Sequence, residues 1–437
     1  MNSSENKTFC PYPWIHVMTQ PTGTMSWCCV ARDNIKDSEG RSMIVDKHNG
    51  SMSAAWNSKH MAEVRQQMYE GKEVKGCEHC YYLESVGQES YRTGYIRDWM
   101  AGDMGKDIER RIEESKNNDW KVKDDPVYLD FRLGNLCNLK CRMCQPQNSS
   151  QIYREFQKIM KEDDTFEPLA KQYNWGYMGE VIPEWWDSPS FLHDVIKWMP
   201  NLKKMYFTGG EPTVIERNYW IMEKAIEMGV SENMEIMFNT NCTNLRKDWQ
   251  EMLGKFNNVT ACLSIDATEG LIEYIRTNTK WDVAKKNIDF YISHPKVRTL
   301  IFSPVIQTLN IFDLEHLILY VEDLQQKTPD KRLWISYLIC DYPPLLDIRI
   351  IPHELRKPAI ERIEWLLEQP FKIYEQPQNK RGLEMVLNIL KTADIENAEQ
   401  LRKDFFEYMA KLDKPRNQDL LTSVPALKPL WDYVNKG

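Results

Sequence analysis

Hydrophobic and polar positions follow a regular order from residue 127 onward. Short apolar runs are followed by longer stretches whose apolar residues recur every three or four positions, as in amphipathic helices. The pattern predicts strands at 127–133, 204–208, 234–239, 259–265, 297–307 and 333–340, and helices at 150–161, 216–228, 244–253, 281–293 and 312–324. Six strand–helix repeats predict a parallel sheet with helices outside it, because parallel strands need crossover connections.

The number of repeats predicts the shape of this α/β domain. Eight repeats would close a full TIM barrel, whereas six make an open, partial (β/α)6 TIM-like barrel with its reactive face at the C-terminal strand ends. Groups that could bind a cofactor lie at or after five of the strands: Cys137; Gly209, Gly210, Glu211 and Pro212; Thr240 and Asn241; Ser264 and Asp266; Gln307 and Asn310. Their clustering predicts a binding site at this face.

The flanking regions differ from the barrel in pattern. Residues 1–88 are predicted to form a small cysteine-rich module, with a hairpin around a Pro-Thr-Gly-Thr turn and a helix at 53–68. Residues 89–126 contain a charged helix at 104–120, which we expect to be a solvated linker. The barrel is assigned to 127–345. Residues 346–437 are predicted to be a helical C-terminal region, with helices at 353–369 and 382–412.

Composition excludes several classes of protein. The 56 Lys and Arg against 64 Asp and Glu give a net charge of -8 without a long basic run, which argues against nucleic-acid and anionic-membrane partners. The sequence shows neither a signal peptide nor a run of 18 apolar residues, so we expect a cytoplasmic protein without a membrane span. The 11 cysteines, an odd number, favour metal ligands and free thiols over disulfides.

Three cysteines lie close together in the loop after the first predicted strand. Cys137, Cys141 and Cys144 have the spacing CxxxCxxC. A closed structural metal site takes four protein ligands, so three thiolates leave one position for another molecule. The alternative is a zinc site whose fourth ligand comes from a distant part of the chain.

A second group of cysteines lies in the N-terminal module. Cys77 and Cys80 have CxxC spacing, and Cys10 and Cys28 flank the predicted hairpin. A hairpin and a CxxC knuckle are a common way to bring four thiolates around one metal centre. Local spacing alone favours zinc and iron–sulfur equally, and Cys29 is an alternative to Cys28.

The three-cysteine loop and the strand ends resemble the radical S-adenosylmethionine (SAM) superfamily. In that family the three cysteines hold a [4Fe-4S] cluster whose fourth iron binds the amino and carboxylate groups of SAM. The resemblance implies that Cys137, Cys141 and Cys144 are the cluster ligands. It also implies reductive cleavage of SAM to a 5′-deoxyadenosyl radical, which abstracts a substrate hydrogen.

Further segments resemble the SAM-binding elements of this family. The Gly209 to Pro212 turn matches the segment that lies along SAM and accepts its ammonium group, although such a turn also occurs without function. Thr240 and Asn241 resemble the third-strand element. Ser264, Asp266 and Arg276 resemble the segment whose Ser and Arg hold the SAM carboxylate, with a surface ion pair as the alternative for Arg276. Asn310 resembles the Asn that binds the adenosyl group, with a loop cap as the alternative.

The N-terminal module resembles the SPASM and twitch modules of one branch of the family. Four residues separate Gly23 from Cys28. Cys10 precedes this segment, and the CxxC of Cys77 and Cys80 follows it at a distance. Four ligands match the shorter twitch form, which implies a second, auxiliary [4Fe-4S] cluster held by Cys10, Cys28, Cys77 and Cys80. Most relatives carry this module after the barrel, whereas here it precedes the barrel.

The resemblance implies an enzyme that oxidises a peptide or protein, reduced by a donor such as flavodoxin or ferredoxin. The alternative substrate is a small molecule, such as a sugar, nucleoside or amino acid. Cys340 lies at the end of the sixth predicted strand. If the enzyme is an epimerase, Cys340 would donate a hydrogen atom to the substrate radical; the alternative is that it is a buried, small apolar side chain without a catalytic role. The alternative of another class is a non-catalytic iron–sulfur electron carrier, which needs neither an open iron nor a Gly-Gly-Glu-Pro turn.

Overall fold

The structure is a computed structural model that describes residues 6–46, 50–85, 89–173 and 184–436. The predicted module boundary at residue 88 lies outside these ranges. The strands are β1 His16–Thr19, β2 Met25–Ser26, β3 Tyr128–Arg132, β4 Lys140–Cys141, β5 Lys204–Thr208, β6 Glu235–Thr240, β7 Asn258–Leu263, β8 Arg276–Thr277, β9 Val297–Phe302, β10 Val305–Ile306, β11 Arg332–Ile335 and β12 Leu338–Ile339.

Helices alternate with these strands along the chain. The α-helices are α1 Met52–Trp56, α2 Lys59–Tyr69, α3 Glu78–Ser85, α4 Tyr91–Trp99, α5 Gly102–Lys116, α6 Ser150–Glu162, α7 Phe166–Gln172, α8 Pro189–Trp198, α9 Glu216–Glu227, α10 Lys247–Leu253, α11 Glu269–Ile275, α12 Trp281–Ser293, α13 Leu314–Lys327, α14 Lys357–Glu368, α15 Pro377–Leu390, α16 Ala398–Arg416, α17 Leu420–Ser423 and α18 Lys428–Lys436. Among the described residues, no helix is long and apolar enough to cross a membrane.

The main sheet has eight strands in the order β11-β9-β7-β6-β5-β3-β1-β2. Six of them are the strands predicted from the sequence, and β3–β5, β7–β9 and β9–β11 pair in parallel. The predicted α/β class with a partial TIM-like barrel is therefore confirmed.

The N-terminal hairpin extends this sheet. Strands β1 and β2 pair in antiparallel fashion, as the sequence predicts. Strand β1 also pairs in parallel with β3, with His16 opposite Tyr128. All four residues of β1 are buried, so this strand needs a partner for its backbone as well as its side chains. The sequence did not predict this second pairing.

The chain divides into two compact units. The first comprises residues 1–135, 181–237 and 255–257, and the second comprises 136–180, 238–254 and 258–437. In the first unit the buried Trp14 donates its indole N–H to Ser115 Oγ of α5 at 3.0 Å. The buried Arg65 donates to the carbonyls of Pro13 and Trp56 at 2.8 and 2.7 Å. These bonds fix the N-terminal segment against α2 and α5.

Several predicted element bounds are wrong for identifiable reasons. The helix predicted at 53–68 is two helices, because Ser58 caps the start of α2 by accepting from Met61 N–H. The strand predicted at 297–307 ends at Phe302, since Pro304 has no N–H for the ladder. Strands β10 and β12, which lie inside the predicted fifth and sixth strands, pair with each other in a separate small sheet.

Two predicted helices also need correction. The charged helix predicted at 104–120 ends at Lys116, ahead of Asp119 and Trp120, which both have positive φ. Its face with Ile108 and Ile112 is buried, so it is not solvated all round. The helix predicted at 382–412 is α15 and α16, separated by the turn at 391–397.

Candidate functional site

The cysteine loop of the second unit is fixed against the segment that contains Arg276. Strand β4 pairs antiparallel with β8, which places Cys141 directly opposite Arg276. The backbone N–H of Arg142 continues this contact by donating to Ile275 O at 2.9 Å. Arg276 Nη1 lies 3.6 Å from Cys141 Sγ. The middle cysteine of the loop and the predicted SAM-carboxylate ligand are therefore neighbours.

Arg276 forms a two-point ion pair with Asp266. Its Nε donates to Asp266 Oδ2 at 2.7 Å and its Nη2 donates to Oδ1 at 3.1 Å. Asp266 Oδ1 also accepts from Val305 N–H at 2.8 Å, so this carboxylate is anchored on both sides. Burial disfavours the guanidinium charge, but the charges of Asp266 and Cys141 outweigh it and raise the pKa of Arg276. The pair holds a permanent cation beside the thiols.

The three thiols of the loop lie within electrostatic reach of one another. Cys141 is buried, and Cys137 and Cys144 are half-buried. Burial raises the pKa of the Cys144 thiol, and Cys141 and Cys137 raise it further. Three thiolates beside a cation fit an anionic iron–sulfur cluster, in which each thiolate binds a different iron. Among the described residues, no group of three or more His, Cys, Asp or Glu side chains is arranged to hold a single metal ion.

Polar side chains tie the loop after β6 to the cysteine loop. Asn241 Nδ2 donates to Asn138 Oδ1 at 2.8 Å, and Asn138 Nδ2 donates to Thr243 Oγ1 at 2.8 Å. Asn241 Oδ1 accepts from Thr243 N–H and Oγ1 at 3.0 and 2.6 Å. Thr240 Oγ1 accepts from Cys242 N–H at 3.1 Å. Asn138 lies inside the cysteine motif, so this network sets the position of the loop.

The loop after β10 is held by Asn310 and Gln307, both fully buried. Asn310 Nδ2 donates to the carbonyls of Asp266 and Val305, each at 2.9 Å, and its Oδ1 accepts from Gln307 N–H at 2.9 Å. Both amide hydrogens of Asn310 are therefore donated to backbone carbonyls. This arrangement corresponds to the loop cap, which the sequence analysis gave as the alternative to binding of the adenosyl group. Gln307 Nε2 donates to Val305 O at 3.3 Å.

Ser264 and Cys340 are two further residues that the sequence predicts for the site. Ser264 is half-buried, and its backbone N–H donates to Thr240 O at 2.8 Å. Cys340 is buried, and its thiol donates to the carbonyl of Tyr342 at 3.6 Å. Burial raises the pKa of the Cys340 thiol. These contacts leave the Cys340 hydrogen-donor role a prediction.

The C-terminal helix α16 anchors the cysteine loop, a contact that the sequence did not predict. Arg142, between Cys141 and Cys144, is fully buried and donates to Asp413 Oδ1 at 2.5 Å and to Gln418 Oε1 at 2.8 Å. Tyr408 Oη donates to Arg142 O at 2.9 Å. No local pattern signals a pairing across 271 residues. The C-terminal region thus supports the loop that carries the thiols.

The Gly-Gly-Glu-Pro turn lies in the first unit, directly after β5. Gly209 and Gly210 have φ of +74° and +46°, a conformation that favours glycine. A Cβ on Gly209 would lie 3.0 Å from Arg132 Cβ, so the turn packs closely on the end of β3. Glu211 is buried, and its Oε1 accepts from Thr213 N–H and Oγ1 at 3.2 and 2.7 Å. Pro212 starts the short 3-10 helix that Glu211 caps.

The four predicted auxiliary ligands surround one cavity in the first unit. Cys10, Cys28, Cys77 and Cys80 all line this cavity, which is partly open to solvent. Burial raises the pKa of Cys10, and it raises that of Cys77 to about 11. The lining is mostly apolar apart from these thiols. Four cysteines that line one cavity match the ligand number of a cluster held by four thiolates.

The geometry distinguishes between Cys28 and Cys29. Cys28 lines the cavity with the other three thiols. The Cys29 sulfur instead lies 3.1 Å from the hydroxyl of Tyr95. Gly23 has φ of +85°, and a Cβ there would lie 2.9 Å from Val45 O, so the hairpin turn before Cys28 requires glycine. This placement favours Cys28 as the fourth ligand.

Comparison with known proteins gives a family match for the barrel. The model of the Radical SAM superfamily matches residues 131–321, which include the three-cysteine loop, the Gly-Gly-Glu-Pro turn and Arg276. No curated protein matches the chain.

Solved structures resemble the chain only distantly. Streptococcus suis SuiB bound to S-adenosylmethionine shares 13% identity with a TM-score of 0.34, over 72% of this chain and 61% of its own. SuiB bound to precursor peptide SuiA shares 12% with a TM-score of 0.34, over 72% and 64%. Histidine-tagged anSMEcpe with bound AdoMet shares 13% with a TM-score of 0.34, over 56% and 61%. This chain thus spans less than two thirds of each of these three structures. The family match shows that residues 131–321 of this chain resemble the Radical SAM superfamily.

Proposed function

We propose that this enzyme contains two iron–sulfur clusters and oxidises a peptide or protein substrate. The observation that carries the proposal is the division of seven cysteines into two groups. Three lie in the loop beside Arg276 in the second unit, and four surround one cavity in the first unit. A single-cluster enzyme or a simple electron carrier has no use for both groups.

The first group would hold the cluster that binds SAM. A [4Fe-4S] cluster with SAM supplies, when bound, a 5′-deoxyadenosyl radical that abstracts a hydrogen atom. Cys137, Cys141 and Cys144 would hold the cluster, and Arg276 offsets the charge of its thiolates. Arg276 is itself oriented by Asp266 through two hydrogen bonds.

The remaining predicted residues are proposed to bind SAM or to support its site. Glu211 and the bare backbone of Gly209 and Gly210 would receive the ammonium group, and Ser264 and Arg276 the carboxylate. The others position the loops around the site: Pro212, Thr240, Asn241, Gln307 and Asn310. A guanidinium can donate hydrogen bonds to a carboxylate and to a thiolate at the same time because it carries five N–H donors.

The second group would hold the auxiliary [4Fe-4S] cluster through Cys10, Cys28, Cys77 and Cys80. A second centre gives the enzyme a place for the electron that a substrate radical must lose to be oxidised. Epimerisation would instead need a thiol that reaches the substrate, and Cys340 is buried with its S–H directed to Tyr342 O. We therefore favour oxidation, with flavodoxin or ferredoxin as the electron donor.

The peptide or protein class rests on the resemblance of residues 10–80 to SPASM and twitch modules, whose enzymes often act on peptides. A sugar, nucleoside or amino acid is the alternative substrate. Both classes predict the same redox change, the loss of two hydrogens. Only an assay with candidate substrates separates them.

The test is an anaerobic assay with reconstituted enzyme, SAM and dithionite. We expect release of 5′-deoxyadenosine, and loss of two hydrogens from peptides in a library of short synthetic peptides with each standard amino acid at the centre. The variant with Cys137, Cys141 and Cys144 all changed to Ala is the control and should release none. Wild-type enzyme that releases no 5′-deoxyadenosine would refute the proposal. Oxidation of a sugar or nucleoside panel, with no peptide modified, would assign the alternative substrate class.

A further inference from the structure

Trp27 lies in the wall of the cavity that the four cysteines of the first unit line. It directly precedes Cys28, and it is 1% exposed. His16 Nδ1 donates to the carbonyl of Trp27 at 3.0 Å. The ring of His60 packs edge-on against the indole, with ring centroids 5.7 Å apart. The backbone and the ring of Trp27 are therefore both held in place.

The indole N–H of Trp27 is a buried donor that no group in the described part of the chain accepts from. Buried donors without a partner are rare in proteins, and a bound group is one reason for them. Apart from the cysteines, the other polar side chains that line the cavity each have a partner: Thr8 bonds to Asn6, Tyr81 to Val74, Arg92 to Glu84 and Tyr95 to Cys29. The Trp27 N–H is thus the donor that this wall leaves for an occupant of the cavity.

Two observations place this N–H beside Cys77. Gly76, which directly precedes Cys77, has φ of +95°, and a Cβ there would lie 3.2 Å from Trp27 Cζ2. Because Cζ2 belongs to the edge of the indole that carries Nε1, this edge lies against the segment that leads into Cys77. Burial raises the pKa of the Cys77 thiol, and the Trp27 N–H is the strongest influence in the opposite direction, which also shows that the two groups are close.

We propose that Trp27 donates its indole N–H to the sulfur of Cys77 when that sulfur is a cluster ligand, and that this bond raises the reduction potential of the auxiliary cluster. The inference rests on the proposed function, which assigns the cluster to these cysteines. Reduction makes a cluster more negative, so a donor to a ligand sulfur stabilises the reduced form. The effect is stronger in a buried, mostly apolar cavity, where the dielectric constant is low.

This role is in the electron balance of the proposed oxidation. The substrate loses a hydrogen atom to the 5′-deoxyadenosyl radical, then one electron to the auxiliary cluster and one proton to water. A donor that stabilises the reduced cluster favours the electron step and leaves the other two unaffected. Trp27 acts through Cys77 and contacts no substrate, so it is a positioning residue, and the property that it sets is a potential.

The first test is a redox titration followed by electron paramagnetic resonance. It uses the full-length protein with Cys137, Cys141 and Cys144 changed to Ala, so that only the auxiliary cluster gives a signal. Adding Trp27→Phe should lower the equilibrium constant for one-electron reduction about tenfold, the effect of losing one hydrogen bond to a charged group, which corresponds to about 59 mV. Trp198→Phe is the matched control, because its indole N–H is also buried without a partner in the described part of the first unit, but it does not line the cavity. Equal potentials with and without Trp27→Phe would overturn the proposal.

The second test does not depend on how well Trp27→Phe folds. The same protein is labelled with nitrogen-15 in the indole rings, and the reduced cluster is studied by electron–nuclear double resonance. We expect a nitrogen-15 coupling that persists in Trp198→Phe and is lost in Trp27→Phe. A reduced auxiliary cluster without this coupling would overturn the inference and leave the proposed function intact. Absence of any cluster at the four cysteines would contradict both.

Discussion

The guanidinium of Arg276 lies against the sulfur of Cys141, with Nη1 3.6 Å from Sγ. Backbone pairing holds the two side chains close together, because Cys141 and Arg276 lie opposite each other in the short β4–β8 ladder. Asp266 holds the other side of the guanidinium with two hydrogen bonds. Under the proposed function, Arg276 would therefore influence both the cluster and the SAM carboxylate.

Replacing Arg276 by Gln should lower the reduction potential of the SAM-binding cluster. A cation and N–H donor beside a ligand sulfur stabilise the reduced, more negative cluster, so their removal favours the oxidised state. Redox titration followed by electron paramagnetic resonance measures this potential directly. The proposed auxiliary cluster should keep its potential, because its ligands would be the four cysteines of the first unit.

Arg246→Gln serves as the control for this change. Arg246 also forms an ion pair, with Asp248, but it lies on a partly exposed surface. Its replacement should leave both potentials unchanged. Equal potentials in Arg276→Gln and wild type would show that the contact with Cys141 does not tune the cluster.

Glu211→Gln should weaken SAM binding without loss of the cluster. The substitution keeps the shape of the side chain and removes its charge, and a hydrogen bond to a charged group is worth about 1.5–3 kcal/mol. The affinity should therefore fall about tenfold to a hundredfold, as measured by titration of reconstituted protein with SAM. Unchanged affinity in both Glu211→Gln and Arg276→Ala would mean that the SAM site lies elsewhere.

Asp413→Ala should destabilise the second unit and lower its iron content. The change leaves the buried Arg142 guanidinium without its carboxylate partner, which costs about 3 kcal/mol for an ion pair of this kind. Denaturant unfolding measures the loss. Asp323→Ala, which breaks the exposed pair with Lys327 in α13, should cost less than about 1 kcal/mol. Equal effects of the two variants would contradict an anchoring role for α16.

Asp130 should make the protein less stable as the pH rises from about 4 to about 7. Its pKa is raised from 3.8 in the unfolded chain to about 7 in the fold, so the native state binds more protons in this window. The unfolding free energy of wild type should therefore fall by up to about 1.4 kcal/mol per pH unit relative to Asp130→Asn. The groups that modulate this titration are Arg132 and Cys29. Parallel pH profiles for the two proteins would contradict a raised pKa of Asp130.

The sequence predicted the features that depend on local spacing. The CxxxCxxC loop can be recognised because three ligands of one cluster must lie close together in the chain. The Gly-Gly-Glu-Pro turn can be recognised because a backbone that a ligand approaches closely requires glycine. The six barrel strands followed from hydrophobic periodicity. The signal for Asp130 was also present, as a carboxylate in the otherwise apolar segment YLDF. Periodicity alone does not reveal that no residue in the described part of the chain donates a hydrogen bond to this carboxylate.

Features that depend on distant pairing could not be predicted. The parallel pairing of β1 with β3 joins segments more than 100 residues apart, and the Arg142–Asp413 bond spans 271 residues. Neither partner carries a local signature, because the energy of each contact arises only when folding brings the two together. The same reason explains why the sequence left Cys28 and Cys29 as alternatives.

The most direct test of the two-cluster account is metal analysis of anaerobically reconstituted protein and two cysteine variants. Wild type should bind about eight irons, four for each cubane cluster. Changing Cys137, Cys141 and Cys144 together to Ala should leave about half of this iron, and changing Cys10, Cys28, Cys77 and Cys80 together should leave the other half. Zinc bound by the N-terminal cysteines, or loss of all iron when only the three-cysteine loop is changed, would contradict the account.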